Sequence, residues 1–278
     1  MNPQFFGSSD GNPLYGVYHS PQGTSDTAAQ AVVICPPIGQ EYIRTYWNCK
    51  LFAKQLARGG AHVLRFDWSG HGNSSDDIVG QDSLECWTDD IGRAVEFVRE
   101  KSNASNVMLV GLRFGATLAA IAAAQRDDVH SLVAWEPVVS GETYLQNLGA
   151  MQAQMVDMWV ARMKTRDDAE RKELLGFEFA RSLLDEIVQT ELNLHELYLP
   201  QLVVELESNP QKFSHVEPSL QRVLRTDDEE SWNELQTLET AWLRPQTTRL
   251  VVKTVADMFA RLERIGALAM DSKFAGAV

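Results

Sequence analysis

Apolar positions along the chain fall into two alternating rhythms. Short runs alternate or stay apolar throughout at residues 14–20, at Ala31–Cys35 before Pro36-Pro37, at Ala61–Phe66, at Asn106–Gly111 and at Val129–Trp135. Their length and abrupt stops predict strands, most of them buried on both faces. Between them lie helical spacings: 45–58 (Trp47, Leu51, Phe52, Leu56, closed by Gly59-Gly60), 82–101, and an Ala-rich stretch at 114–125. Strand–helix alternation of this kind predicts a mostly parallel sheet with helices on both faces. The pattern then changes. Residues 141 to about 197 read as entirely helical, 199–206 returns to strand character, a weak strand falls near 232–238, and a helix over about 247–268 closes the chain. The expected organisation is one α/β core from residues 1–140 and 198–278, with 141–197 inserted as a helical cap.

Composition narrows the function classes. At 278 residues with 44% apolar and 23% charged residues, the chain is globular and long enough for a single large α/β unit. Its net charge of -13 repels a phosphate backbone on average, so no nucleic-acid partner is expected. No apolar run approaches the roughly 18 residues of a membrane span. The first basic residue is Arg44, so the pattern of a secretory signal is missing and a cytoplasmic location is expected. The cysteines, Cys35, Cys49 and Cys86, are three and widely spaced, which fits neither a disulfide framework nor a metal site. No cofactor or metal is expected.

Two segments carry the chemistry. Asp67-x-x-Gly70-x-Gly72-x-Ser74 directly follows a predicted strand, and Gly111-Leu112-Arg113-Phe114-Gly115 joins a predicted strand to the Ala-rich helix. So sharp a strand-to-helix turn brings backbone against backbone, and a Cβ at either elbow glycine would clash. Together the segments resemble the α/β-hydrolase fold in its serine-aminopeptidase-like (S33) branch, well over residues 12–138 and in layout only over 197–265. The resemblance implies a mostly parallel sheet of about eight strands with helices on both faces and a helical cap.

The chemistry usual for that fold does not follow. Arg113 stands where G-x-S-x-G places its serine, and a guanidinium that stays protonated cannot attack a carbonyl. The family's acid would fall near Asn209, and its histidine near the start of the last helix. No histidine follows His215, and the stretch before that helix offers Thr240, Ala241 and Trp242. With all three positions changed, the Ser-His-Asp mechanism is expected to be absent. A closer resemblance accounts for the arginine. The segments Pro36-Pro37-Ile38-Gly39-Gln40-Glu41-Tyr42, Gly111-Leu112-Arg113 and Trp135-Glu136-Pro137-Val138 look like hydrolase-like proteins associated with the exosortase system, which carry the same Gly-Leu-Arg elbow. That resemblance implies a family more than a reaction.

Arg113 has two readings. The elbow opens a helix, so the N–H groups of Phe114 and Gly115 and the helix dipole converge on one spot, and a guanidinium there would complete an anion pocket. Alternatively it is a structural replacement held by an internal acid, with Glu136 first and Glu41 second as partner. Ligand-binding candidates are therefore Arg113, Phe114, Ile38, Glu136 and Glu41. Asp67, His71 and Ser74 read as a structural turn, Cys35 as an inert buried thiol, and Asp127-Asp128-Val129-His130, His195-Glu196 and the acids 227–230 as solvated loops. The stripe Tyr144, Leu148, Met151, Met155, Met158, Trp159, Met163 either packs the cap on the body or lines a pocket for an acyl group. Three functions stay open. The chain could bind a small anionic ligand or a partner, could hydrolyse acyl esters with a non-standard site, or could serve as a non-catalytic scaffold in an exopolysaccharide or protein-sorting pathway. The sequence leaves the oligomeric state open.

Overall fold

The structure is a computed structural model. It describes residues 1–7, 12–22, 29–74, 83–105, 107–158, 165–208, 210, 220–227, 232–233 and 244–275, with side chains of the last helix described through 264 except 263. Strands β1 (Asn2–Phe6), β2 (Leu14–His19), β3 (Ala31–Cys35), β4 (His62–Phe66), β5 (Val107–Leu112), β6 (Val129–Trp135), β9 (Gln201–Leu206) and β10 (Gln221–Thr226) form one sheet. Their order is β1-β2-β4-β3-β5-β6-β9-β10. β1 and β2 run antiparallel to their neighbours, and every other pairing is parallel. The central strands β3 and β5 are buried along their whole length, which is why they read as apolar runs rather than alternations.

Helices cover both faces. On one side α1 (Gly39–Arg58) and the C-terminal α6 (Pro245–Ala275) pack on the sheet through Phe52, Leu56, Val251, Val255 and Phe259. On the other, α2 (Leu84–Ser102) and α3 (Phe114–Ala124) share a core with Trp68, Trp87 and Leu109. Between β6 and β9 come α4 (Gly141–Met158), a hairpin of β7 (Arg171–Leu174) and β8 (Phe177–Ala180), α5 (Arg181–Val188) and a 3-10 turn at Leu194–Glu196. Tyr144, Leu148 and Met151 of α4 join the α2–α3 core, so these stripe positions pack. Trp159 and Met163 lie outside the described residues.

Several expectations need correcting. Residues 141–197 are not entirely helical: 171–174 and 177–180 pair antiparallel apart from the main sheet. Leu175 and Gly176, both at positive φ, form the two-residue turn that such a hairpin requires. The run Arg-Lys-Glu-Leu gives no alternation to betray the strand. The edge strands β1 and β10 were also not anticipated. β1 carries Pro3, tolerated only at an edge, and β10 keeps three of its six residues exposed. The weak strand placed near 232–238 is not seen at Trp232 and Asn233, and its remainder lies outside the described residues. α1 starts at Gly39, six residues before the apolar spacing begins at Thr45.

Candidate functional site

The elbow is built as the glycines require. A Cβ on Gly111 would strike Ala116 Cα and lie 2.6 Å from the Gly115 carbonyl oxygen, and one on Gly115 would strike the Pro36 carbonyl. The first turn of α3 is thereby pressed against the end of β3. Between the glycines, Arg113 sits at φ 52°, ψ -126°, a strained backbone for a residue with a Cβ. Three main-chain bonds hold it there. Its N–H donates to Trp135 O at 3.0 Å, and its carbonyl accepts from Ala116 at 3.0 Å and Val138 at 3.4 Å.

The Arg113 side chain is 12% exposed and reaches back under α4. Its Nε donates to Glu41 Oε1 at 3.1 Å, and an Nη donates to the main-chain carbonyl of Glu136 at 3.2 Å. The order of expected partners is thus reversed: the carboxylate in the ion pair is Glu41, on the first turn of α1, while Glu136 holds the guanidinium through its backbone. β6 ends beside the elbow as expected, but Glu136 turns there at φ 43°, and its carboxylate accepts the indole N–H of Trp232 at 2.7 Å. That indole ring lies 5.3 Å under the guanidinium. Tyr144 closes the cluster: its hydroxyl donates to the second oxygen of Glu41 at 3.3 Å, and its ring stacks on Phe114 at 5.6 Å.

Glu41 is 1% exposed. Burial pushes its carboxyl up from the ordinary value, against the opposing pull of Arg113 and Tyr144. Burial also works against charge on Arg113, but Glu41, Glu136 and Tyr144 outweigh it and the guanidinium's value is raised. Among the described residues two of the guanidinium's five N–H groups are engaged, and Arg113 helps line a cavity of about 260 Å³. Glu136, Val139, Thr143, Tyr144, Glu205 and Trp232 help line it. Glu205 is itself paired with Arg225 at 3.0 Å.

The other candidates resolve as follows. Ile38 is buried as the residue before α1, and Phe114 is buried under Tyr144. Asn209 and 240–242 lie outside the described residues. The loop after β4 is a structural turn. Asp67 accepts the Asn73 N–H at 3.0 Å, its main chain accepts Ser74 Oγ at 2.5 Å, and Ser74 Oγ in turn accepts the Tyr15 N–H at 2.9 Å. His71 is buried, with its Nε2 accepting the Gly39 N–H at 3.0 Å, and burial lowers its pKa to about 4. It therefore pins the start of α1 as a neutral imidazole, and among the described residues its ring makes no side-chain hydrogen bond to a Ser, Thr or Cys. Cys35 is fully buried, and burial raises its thiol far above the reactive range. A side-chain His–Ser contact, His130 Nδ1 to Ser131 Oγ at 2.7 Å, lies at the opposite end of β6 from the elbow. Among the described residues no group of three His, Cys, Asp or Glu could hold a metal. Two contributors were missed in the sequence: Trp232, which sits in no regular element, and Tyr144 as a hydrogen-bonding rather than merely packing side chain.

An eight-stranded, mostly parallel sheet whose fifth strand turns through a strained, glycine-framed elbow into a buried helix defines an α/β-hydrolase fold. The chain belongs to the serine aminopeptidase, S33 family, whose model matches residues 27–176. No curated protein matches it. Solved structures resemble it over nearly their whole length. Est1E from Butyrivibrio proteoclasticus, solved with ferulic acid, has 15% identity, covers 93% of this chain and 98% of its own, and superposes with a TM-score of 0.62. An esterase from Pyrococcus furiosus has 15% identity, 94% and 90% coverage, and a TM-score of 0.60. Mouse alpha/beta hydrolase domain-containing protein 10 has 14% identity, 94% and 100% coverage, and a TM-score of 0.57. Likeness at such identities carries the fold and leaves the activity open. Among the described residues no helix is long and apolar enough to cross a membrane.

Proposed function

We propose that this hydrolase-fold chain has given up serine chemistry and uses the elbow cleft, roofed by the inserted segment 141–197, to bind a small molecule bearing one anionic group. The observation that supports this is Arg113 at the elbow apex, its guanidinium braced by Glu41 and Glu136 and lining the cavity. A braced guanidinium, with five donors of which two are used among the described residues, suits a carboxylate or phosphate oxygen. Glu136 and Glu205 in the same wall disfavour a multiply charged anion. The apolar faces of Val139, Tyr144 and Trp232 suit an acyl or aromatic body.

The Gly-Leu-Arg elbow also supports the finer kinship with exosortase-associated hydrolase-like proteins. On that kinship a scaffold role in an exopolysaccharide or protein-sorting pathway is the alternative without a ligand. Hydrolysis of acyl esters by a non-standard site is the alternative with chemistry. Labelling with a fluorophosphonate followed by intact-mass measurement separates them. No adduct is expected, and a stoichiometric adduct on a Ser, Thr or Cys would establish the hydrolase reading instead.

A further inference from the structure

The outward side of α1 is unusual for a chain of this charge. Ile43, Trp47 and Leu51 follow one another at intervals of four residues and are 54%, 59% and 40% exposed. Four-residue spacing stacks them on one face. Arg44, Lys50, Lys54 and Arg58 project from the same half of the helix, whose single acid, Glu41, is turned inward to Arg113. Lys50 Nζ lies 4.2 Å from the centre of the Trp47 ring, so charge and aromatic surface are interleaved.

The neighbouring helix continues the pattern. α6 packs beside α1 on the same face of the sheet and exposes Arg249, Leu250 and Lys253. Across the two helices nine Lys and Arg stand against four Asp and Glu, a net +5 in a chain of -13. Burial above all holds His19 down to about 4, with Arg65, the N-terminus, Lys54 and Lys50 adding to it in that order.

Interleaved Lys/Arg and large apolar side chains set on one face match the chemistry of an anionic bilayer surface. Cations meet headgroups while Trp, Ile and Leu enter the headgroup–acyl boundary. We propose that the α1–α6 face docks this protein peripherally on membranes rich in anionic lipid, with Trp47 as the inserting residue. An acidic protein segment would satisfy the charges, but it would leave three large apolar side chains needing a matched pocket. A bilayer needs only that they share a face.

The test is co-flotation with phosphatidylcholine vesicles, with or without about 30 mol% phosphatidylserine, at about 0.1 M salt. Binding to the anionic vesicles should exceed binding to neutral ones by about tenfold or more, and Trp47 emission should shift to the blue. Lys50→Glu/Lys54→Glu and, separately, Trp47→Ser should each lower binding by about tenfold or more. Trp47 is exposed and Lys50 and Lys54 are half-buried, and unchanged melting temperatures would show that the fold is intact. Equal partition on neutral and anionic vesicles, binding retained by the charge-reversed variant, or capture of polyglutamate or a second copy of the chain in place of vesicles would each overturn the proposal.

Discussion

Replacing Glu41 by Gln should cost far more stability than replacing Arg113 by Met, although both remove the same ion pair. The pair is nearly dry: Glu41 is 1% and Arg113 12% exposed, with Nε and Oε1 3.1 Å apart. Taking the charge centres about 4 Å apart and an effective dielectric of about 20, the attraction is about 4 kcal/mol. Glu41→Gln keeps the volume but leaves a guanidinium that cannot shed its proton, so the loss should be about 3–5 kcal/mol at any pH between 5 and 8. Arg113→Met leaves a carboxyl that can neutralise itself. Burial already pushes Glu41 up while the cation is present. Without the cation its folded value rises further above the unfolded one, so the variant's stability is best below the unfolded value of about 4.3 and is lost as pH rises. Arg113→Met should therefore cost about 1–3 kcal/mol at pH 5 and more at pH 8. Urea unfolding followed by circular dichroism at the two pH values, for both single variants and the double variant, measures this directly. The coupling energy should reach about 2 kcal/mol at pH 8. A Glu41→Gln variant within about 0.5 kcal/mol of the parent, or an Arg113→Met variant that gains stability from pH 5 to 8, would refute the reasoning.

Other outcomes follow from the same geometry. Arg113→Ser should yield no esterase activity on p-nitrophenyl esters, because no histidine among the described residues approaches the elbow; turnover above background would show a relocated base. Gly115→Ala should unfold the chain or cost more than about 3 kcal/mol in urea, since its Cβ meets the carbonyls of Pro36 and Cys35. His71 is held down to about 4, against about 6.5 unfolded, so its contribution is present above pH 6.5 and is lost as pH falls towards 4, by up to about 3 kcal/mol. Asp90, raised to about 6 by burial despite Ser69 and Arg93, runs the other way and loses stability as pH rises from about 4 to 6. The difference between parent and His71→Gln isolates the histidine, and a parallel pH profile in the two would contradict the assignment.

The parallel strands were legible because burial on both faces leaves apolar runs with hard stops, as at Ala31–Cys35 before two prolines. The elbow was legible because backbone contact at Gly111 and Gly115 admits only glycine. The edge strands and the β7–β8 hairpin were not, because half-buried polar residues such as Arg171, Lys172 and Glu173 carry no apolar period. At the site, the sequence named both acids that hold Arg113 but ranked them by strand adjacency. It could not foresee that Glu136, at positive φ, would present its carbonyl to the arginine and its carboxylate to Trp232. Around Trp232 the sequence suggested only a weak strand, and nothing in that pattern announced a ring 5.3 Å from the guanidinium.

The most direct measurement is an X-ray structure of crystals soaked in acetate or phosphate. The account predicts an ordered anion in the cavity beside Trp232, with an oxygen about 3 Å from an Arg113 Nη and the Glu41 ion pair intact. A cavity that stays free of anion at saturating concentration, with the remaining Arg113 N–H groups taken up by the protein itself, would contradict it.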